Sequence, residues 1–294
     1  MGIIRQSLFK TENLQIWLVE ALNVSDKCGD VERQDQNSIV LPLSGIFLKH
    51  DAPRHYVVGT PSHAVFIAAD ASYKLSFPGA IGDRALALRF DDAIAPEHLG
   101  RSKEKRPASS GLLPVQAMLL RNLLHARLKT DKTDRFEIET RAIDLLDMSL
   151  ETMHRHTPGQ RRAAAQVRWS RSLERVKEAV AVNPANKWSI DTLAHIAGLS
   201  PFYLCRVFKR VTGATIYEYV LRERLAASLD SVLDGEDLAS VAFDSGFASH
   251  SHFTAHFHRL FGSTPAALRR QLKMNKATEL RKIVTAQRNH QPLD

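Results

Sequence analysis

The chain has 294 residues, of which 44% are apolar and 24% charged, a composition typical of a globular protein with more than one domain. It has two cysteines, Cys28 and Cys205, far apart in sequence, so we expect neither a disulfide framework nor a cysteine-based zinc site. No apolar run approaches the roughly 18 residues of a membrane span, and residues 1–17 lack the apolar core of a signal peptide. We therefore expect a cytoplasmic protein that does not span a membrane.

The positive charge lies entirely in the C-terminal part. The formal net charge is +8, and residues 1–159 contain 20 Lys and Arg against 20 Asp and Glu, whereas residues 160–294 contain 20 against 12. Such a localised basic half indicates a polyanionic partner, nucleic acid or an anionic membrane. A solvated basic face would have the same composition.

The region from about residue 15 to 90 has the pattern of short β-strands. Runs rich in β-branched and aromatic residues alternate with Gly, Pro, Asp and Ser: "LQIWLVEAL", "SIVLPLSGIFLKH", "HYVVGT", "HAVFIAAD", "YKLSF" and "RALALRF". Turn signals at intervals of about ten residues are typical of a compact antiparallel sandwich or barrel. We predict a β-barrel here, and the turn-rich "SFPGAIGDRAL" is a candidate border of a pocket.

The pattern changes to helical at about residue 112. Apolar or small residues recur at helical spacing up to residue 155, as in Ile138, Ala142, Leu145, Leu146 and Ser149. Two such amphipathic helices can close over the barrel or pair with a second subunit, and the residues do not separate these alternatives. Residues 156–170 are basic, contain Pro158-Gly159 and lack an apolar period, which predicts a linker.

Residues 189–213, "SIDTLAHIAGLSPFYLCRVFKRVTG", predict a helix-turn-helix. Ser189 can cap a first helix, and Gly198 supplies the positive φ that ends it. Ser200 can cap a second helix with Pro201 at its first position, where the missing N–H has no cost. Two short helices joined by a glycine-containing turn form this motif.

The second helix has one apolar and one polar face. The apolar face consists of Leu204, Val207, Phe208 and Val211, and the opposite face of Phe202, Cys205, Arg206 and Lys209. In a DNA major groove, Arg206 can make a bidentate contact to guanine and Phe202 can pack on thymine methyls, while Lys209 and Arg210 are placed for phosphates. Any surface helix carries an exposed Arg and Lys, so this unit alone does not establish DNA binding.

The motif occurs twice. Residues 237–262 repeat it, with Gly246 matching Gly198 at an offset of 48, and Ser249, Phe253, Phe257 and Gly262 matching the second helix at an offset of 49. Between the two units, "IYEYVLRERLAASLDSVLDG" predicts a long helix that ends at Gly235. Two units held about one DNA turn apart, ~34 Å, can contact successive major-groove segments.

These segments resemble the DNA-binding domain of the AraC/XylS family of bacterial transcription regulators. The resemblance covers about residues 170–272 and is most specific in "FDSGFASHSHFTAHFHRLFGSTP", with its glycine-phenylalanine turn, spaced phenylalanines and terminal FG-x-[ST]-P. It implies an α+β multidomain fold. The division it implies is a cupin-like effector-sensing and dimerisation domain at 1–155 with helices at about 112–155, a linker at 156–170, an all-α DNA-binding domain at 171–275 with helix-turn-helix units at 190–212 and 238–261, and a tail at 276–294.

The resemblance also implies the DNA contacts. Base contacts are expected from Phe202, Cys205 and Arg206 in the first unit and from His250, Ser251, Thr254 and Ala255 in the second, and phosphate contacts from Ser200, Lys209, Arg210, Ser249, His258 and Arg259. Ala255 stands where members often carry arginine, so we expect the second unit to contribute more to positioning than to base discrimination. His258 replaces a common lysine, which weakens its expected grip on phosphate at neutral pH.

Four histidines between 250 and 258 raise the question of a metal site. A structural metal needs three or four converging ligands, but at roughly 100° per residue only His252 and His256 project in a similar direction. We therefore expect no metal site, assign His250 and His258 to DNA, and expect His256 to be a packing or edge residue.

A cupin-like barrel is also compatible with an enzyme. Metal-dependent cupins resemble one another in an HxH pair followed by a glutamate and a later histidine, and His50 and His55 lack that spacing. We expect a regulator without enzymatic activity or cofactor. Its expected partners are double-stranded promoter DNA, a small-molecule effector and a second copy of the chain, with RNA polymerase as a candidate and no membrane partner. The alternatives are a cupin-type enzyme localised on DNA and a non-specific architectural DNA binder, against which Arg206 argues.

Overall fold

A computed structural model describes residues 2–52, 55–91, 94, 110–129, 134–155 and 160–273, with the backbone alone for 154–155, 160–170 and 273. The strands are β1 (Gly2–Lys10), β2 (Leu14–Leu22), β3 (Glu32–Arg33), β4 (Asn37–Gly45), β5 (Phe47–Ala52), β6 (His55–Gly59), β7 (His63–Ile67), β8 (Ser72–Ser76), β9 (Asp83–Phe90) and β10 (Ser110–Leu112). The helices are α1 (Val115–Leu128), α2 (Arg135–Arg155), α3 (Gln160–Val182), α4 (Ile190–Ala197), α5 (Pro201–Thr212), α6 (Ile216–Asp234), α7 (Leu238–Asp244), α8 (His250–Phe261) and α9 (Pro265–Lys273).

The strands form two antiparallel sheets. One has the order β1-β2-β9-β4-β7-β10 and the other the order β3-β8-β5-β6. A cavity of about 600 Å³ between the sheets is lined by residues of both. The N-terminal β region and the C-terminal helical region confirm the predicted fold class, and the segment around Phe77 and Asp83 lines the cavity.

Strand β1 was not predicted from the sequence. It lies at the edge of the larger sheet and pairs with β2 from Gly2 opposite Leu22 to Lys10 opposite Gln15. Most of its side chains are exposed, so its sequence lacks the clear alternation of a strand with one buried face. The predicted runs correspond to β2, β4 to β9 in chain order.

Helix α1 packs within the chain, which is one of the two arrangements that the sequence left open for this pair of helices. Its residues from Ala117 to His125 are buried between the larger sheet and the C-terminal helices. Helix α2 packs on α1 through Ile138, Leu145 and neighbouring residues. Its other face leaves Phe136 76% and Ile143 41% exposed.

The segment 156–170, predicted as a linker, is helical from Gln160 onward, where α3 begins. Its sequence contains Ala163, Ala164 and Ala165, and alanine has the highest helix propensity, so a helix forms without an amphipathic period. Residues 156–159 lie outside the described residues, as does the predicted tail at 276–294.

The C-terminal helices form two helix-turn-helix units around a central helix. Helices α4 and α5 form the first unit and α7 and α8 the second, as the repeat predicted. Helix α6 begins with a capping box between Thr215 and Glu218 and ends at Gly235, whose φ is 92°. The core of the second unit, including Phe253 and Phe257, is continuous with the core of α1 and the larger sheet. Among the described residues, no helix combines the length and apolar character needed to cross a bilayer.

Candidate nucleic-acid interface

The first helix-turn-helix unit is built on the caps that the sequence indicated. The Ser189 side chain accepts a hydrogen bond from the Thr192 N–H at 3.1 Å, and α4 ends at Gly198, whose φ is 67°. The Ser200 side chain accepts a hydrogen bond from the Tyr203 N–H at 3.4 Å at the start of α5. These caps satisfy backbone groups that helix ends leave free, and they fix the turn between the two helices.

The second unit has the same design. Asp237, whose role was not deduced from the sequence, caps α7 by accepting a hydrogen bond from the Ser240 N–H at 2.9 Å. Ser249 caps α8 by accepting from the His252 N–H at 3.1 Å, and the intervening Gly246 has a φ of 79°. Both second helices therefore begin at a serine cap that follows a glycine turn.

Helix α5 exposes the predicted polar face. Leu204, Val207 and Phe208 are buried, whereas the residues predicted to contact DNA are exposed: Phe202, Cys205, Arg206, Lys209 and Arg210. The Arg206 guanidinium lies 5.6 Å from the centroid of the Tyr203 ring, which restrains an otherwise flexible side chain. Phe202 is 77% exposed, so its ring is accessible to a partner.

Helix α8 exposes the corresponding surface of the second unit. A shallow concave surface is lined by His250, Ser251, Thr254, Ala255, His258, Arg259 and Thr264. The first six are the residues predicted to contact bases or phosphates on this helix, and Thr264 was not predicted. His250 Nε2 lies 3.4 Å from Thr254 Oγ1. The structure brings the six α8 side chains together on one face of the helix, with Ala255 offering only a methyl group.

The four histidines do not converge. The rings of His252 and His256 lie 4.5 Å apart in an edge-to-face arrangement beside Phe247. Burial, followed by the charges of His252 and Arg259, lowers the pKa of His256, which favours its neutral form. Within the described part of the chain, no group of three or more His, Cys, Asp or Glu side chains is placed to hold a metal ion.

Arg224 of α6 links the two units and was not identified from the sequence. Its guanidinium donates hydrogen bonds to the carbonyl oxygens of Pro184 at 2.7 Å and Asn186 at 2.8 Å, which precede the first unit. It also donates to the carbonyl oxygen of Gly246 at 2.9 Å, in the turn of the second unit. A planar guanidinium can hold several acceptors in fixed directions, so Arg224 sets the position of one unit relative to the other.

Gly246 has a second role besides its positive φ. A Cβ atom at this position would lie 2.6 Å from the Cα of Ala185, in the segment before the first unit. At Gly198 a Cβ would meet nothing within 4 Å. The turn of the second unit therefore forms part of the contact between the units, whereas the turn of the first unit needs glycine for its backbone conformation alone.

Helix α6 is also fixed to the β region through Glu223. Its carboxylate accepts hydrogen bonds from the Thr60 hydroxyl at 2.9 Å and from the Ser62 hydroxyl. His63 Nδ1 lies 3.6 Å from the same carboxylate oxygen. Burial raises the pKa of Glu223 against the opposing effect of these hydrogen bonds, and burial lowers the pKa of His63 well below its ordinary value.

A second polar contact lies further along α6. The Asp230 carboxylate pairs with Arg84 of β9 and accepts a hydrogen bond from the Asn122 side chain of α1 at 3.2 Å. Burial opposes the charge of Asp230, but the hydrogen bond from His125 and the charge of Arg84 outweigh it and lower the pKa to about 2. The helix that joins the two units is thus held by the β region at two places.

The comparisons with known proteins concern the C-terminal region. A family model described as "Helix-turn-helix domain" matches residues 193–271. The chain is 37% identical over 81 residues to the probable transcription factor PqrA of Proteus vulgaris, covering 27% of this chain and 66% of that protein. It is 34% identical over 85 residues to the regulatory protein SoxS of Salmonella typhimurium, covering 29% of this chain and 79% of that protein.

The similarity to whole proteins is weaker. The chain spans 48% to 66% of the length of three curated relatives that it matches. The crystal structure of ToxT from Vibrio cholerae is 13% identical, with 90% of this chain and 99% of that chain covered and a TM-score of 0.35.

Proposed function

The chain belongs to the AraC/XylS family of helix-turn-helix DNA-binding transcription regulators, and we propose that it binds promoter DNA by placing α5 and α8 in two successive major-groove segments. The observation that carries this proposal is the pair of capped second helices, each with a buried apolar face and an exposed polar one, joined by α6 and Arg224. The 19 residues of α6, about 28 Å of helix, lie between the two units in the chain.

The first unit supplies most of the base discrimination in this proposal. Arg206 makes a bidentate contact to guanine, while Phe202 and Cys205 pack against base edges. Lys209 and Arg210 lie further along α5 and contact phosphates together with the Ser200 cap. The exposure of all these residues on one helix supports the assignment.

The second unit contributes register and orientation. His250, Ser251 and Thr254 contact base edges by hydrogen bonds and Ala255 by its methyl group, while Ser249, His258 and Arg259 contact phosphates. The grouping of the α8 side chains on one concave surface supports this role. Because Ala255 has no hydrogen-bonding group, the second DNA segment is expected to be less strictly specified than the first.

The N-terminal domain, residues 1–155, acts as a sensor, and the C-terminal domain, residues 171–275, binds DNA. A small-molecule effector binds the cavity between the sheets and shifts the population of DNA-binding arrangements through its differential affinity for them. The contacts of Glu223 and Asp230 support such coupling, because they join the β region to the helix that positions both units. The chain is proposed to have no enzymatic activity of its own.

Two macromolecular partners complete the proposal. A second copy of the chain packs on α2, where Phe136 and Ile143 are exposed seven residues apart, two helical turns along one face. RNA polymerase is the partner through which the DNA-bound protein regulates transcription in the cytoplasm.

Selection of binding sites from random duplex DNA by the full chain tests the function. At a fixed, stated salt concentration, we expect enrichment of a site with two conserved blocks whose centres lie one helical turn apart. Enrichment of a single block would contradict the two-unit interface. Binding without enrichment would favour a non-specific architectural protein.

A further inference from the structure

The cavity between the two sheets has an unusual lining along β9. Alternate residues of a strand point to the same face of a sheet, and on the cavity side β9 presents Asp83, Ala85, Ala87 and Arg89 in that order. The opposite face of β9 presents Leu86, Leu88 and Phe90 to the main apolar core. The two alanines leave space between a carboxylate at one end of the cavity and a guanidinium at the other.

The walls of the middle part are apolar. Val19 of β2 lies opposite Ala85, and Val40 of β4 lies opposite Ala87. Phe47 and Leu75 of the second sheet also line the cavity. A ligand in the centre would therefore contact hydrocarbon groups on both sides, which favours an apolar body.

Asp83 lies at the end of the cavity where its surroundings are apolar. Its nearest strand partners are Ala21 and Gly45, and Phe77 lines the cavity beside it. The side chain retains some accessible surface because it faces the cavity, but it has no hydrogen-bond or ion-pair partner among the described residues. Burial alone raises its pKa to about 7. A buried carboxyl group without a partner is costly unless a ligand supplies one.

Arg89 lies at the other end, about 20 Å away at ~3.3 Å per residue of strand. Two other arginines that line the cavity have carboxylate partners, since Arg5 pairs with Glu32 and Arg33 with Asp70. Arg89 stacks 5.3 Å from the centroid of the Trp17 ring and forms no ion pair within the part of the chain that the structure describes. Its guanidinium is thus available to an anion.

We propose that the cavity binds an elongated small molecule with an apolar middle, an anionic group at Arg89 and a hydrogen-bond donor, ammonium or hydroxyl, at Asp83. This inference rests on the effector-binding part of the proposed function and specifies the ligand's chemical class. The apolar walls would accept any hydrocarbon chain, so the ligand's chemical class is defined by the polar groups at both ends together. The Asp83 carboxyl group and the Arg89 guanidinium, which have no ion-pair partner among the described residues, lie on one strand face and select a molecule that is polar at both ends.

Isothermal titration calorimetry of the full chain with three compounds tests the proposal. The compounds are 12-aminododecanoate, 12-hydroxydodecanoate and dodecanoate, which share the carboxylate and the chain and differ only at the far end. We expect the amino or the hydroxy acid to bind at least about tenfold more tightly than dodecanoate, a factor typical of one charge-assisted or buried hydrogen bond.

Variants identify the two ends. Asp83→Leu, which replaces the two carboxyl oxygens with methyl groups in the same branched arrangement, is expected to abolish the preference for the amino or hydroxy acid while dodecanoate still binds. Arg89→Gln is expected to weaken all three acids. Asp35→Asn, an exposed carboxyl group of the same domain outside the cavity lining, is the matched control and should bind as the wild type does.

The proposal is overturned if neither double-ended acid binds the wild-type chain more tightly than dodecanoate, or if Asp83→Leu retains that preference. Thermal unfolding of each variant verifies that it is folded. Site selection on random DNA, carried out with the same wild-type preparation, distinguishes a failure of the ligand proposal from a failure of the DNA-binding proposal. Two enriched blocks without cavity binding would reject the ligand class while retaining the DNA-binding function, and cavity binding without enriched DNA would do the reverse.

Discussion

Thr60 Oγ1 donates a hydrogen bond of 2.9 Å to the Glu223 carboxylate, although the two residues are 163 positions apart in the chain. Thr60 belongs to the β region, and Glu223 belongs to the helix between the two helix-turn-helix units. The bond is buried, so it cannot be exchanged for water without separating the two regions. In the proposed function, this bond is one of the contacts through which a change in the β region reaches α6.

Glu223→Ala is expected to destabilise the chain by about 1–3 kcal/mol, because it leaves the buried hydroxyl groups of Thr60 and Ser62 without their acceptor. Urea-induced unfolding measures this loss. Asp244→Ala, at an exposed carboxylate of α7, should change stability by less than about 0.5 kcal/mol. Equal losses of unfolding free energy in the two variants would show that the Glu223 hydrogen bonds do not stabilise the chain.

Gly198→Ala and Gly246→Ala should differ in cost although both glycines have positive φ. We expect about 1 kcal/mol at Gly198, from backbone strain alone. Gly246→Ala should cost more, because the new methyl group would displace Ala185. Thermal unfolding of the pair gives the comparison, and indistinguishable midpoints would argue against close contact between the units at Gly246.

Arg224→Lys should loosen the two units relative to each other, because an ammonium group cannot hold the carbonyl oxygens of Pro184, Asn186 and Gly246 at once. On DNA sites whose two blocks are moved apart by one base pair, the variant is expected to lose less affinity than the wild type does. Arg175→Lys, at an exposed arginine of α3, is the control. If Arg224→Lys kept the spacing preference of the wild type, Arg224 would not fix the position of one unit relative to the other.

The free energy of unfolding should fall as pH rises from about 4 to 7, because Asp83 loses its proton at a higher pH in the folded chain than in the unfolded chain. Its pKa is raised to about 7 in the folded chain from an ordinary 3.8, so the folded state binds more protons than the unfolded state between these values. The shift of about three units corresponds to at most roughly 4 kcal/mol. Asp83→Asn should reduce this fall in urea unfolding of the ligand-free chain, leaving the part that comes from the raised pKa of Glu223, and an unaltered profile would contradict the assignment.

The sequence predicted the elements whose signals are local. Glycines at positive φ, serine caps and the spacing of Leu204, Val207 and Phe208 are fixed by their own neighbours, and their duplication reinforced each assignment. Helix α6 was predicted as the connection, but its place at the centre of the molecule was not. Ten of its residues are buried, on several sides, so it lacks the single apolar face that would reveal its neighbours.

Other features depend on contacts between distant parts of the chain. Arg224, Glu223 and Asp230 looked like ordinary charged residues of a solvated helix, and their partners are 22 to 163 residues away. Asp83 and Arg89 formed part of a strand pattern, and their opposite positions in a cavity appear only when the second sheet is in place. Single-sequence patterns contain no information on such pairings.

Base recognition by α5 is tested most directly by measuring the affinity of the wild type and of Arg206→Ala for the selected DNA site and for every single-base change in it. We predict that Arg206→Ala loses about 1–3 kcal/mol of discrimination at one guanine of one block and retains the preferences of the other block. Lys209→Ala should instead weaken binding to all these sites equally and reduce the salt dependence. A uniform loss in Arg206→Ala, or no loss, would contradict the claim that α5 reads bases through Arg206.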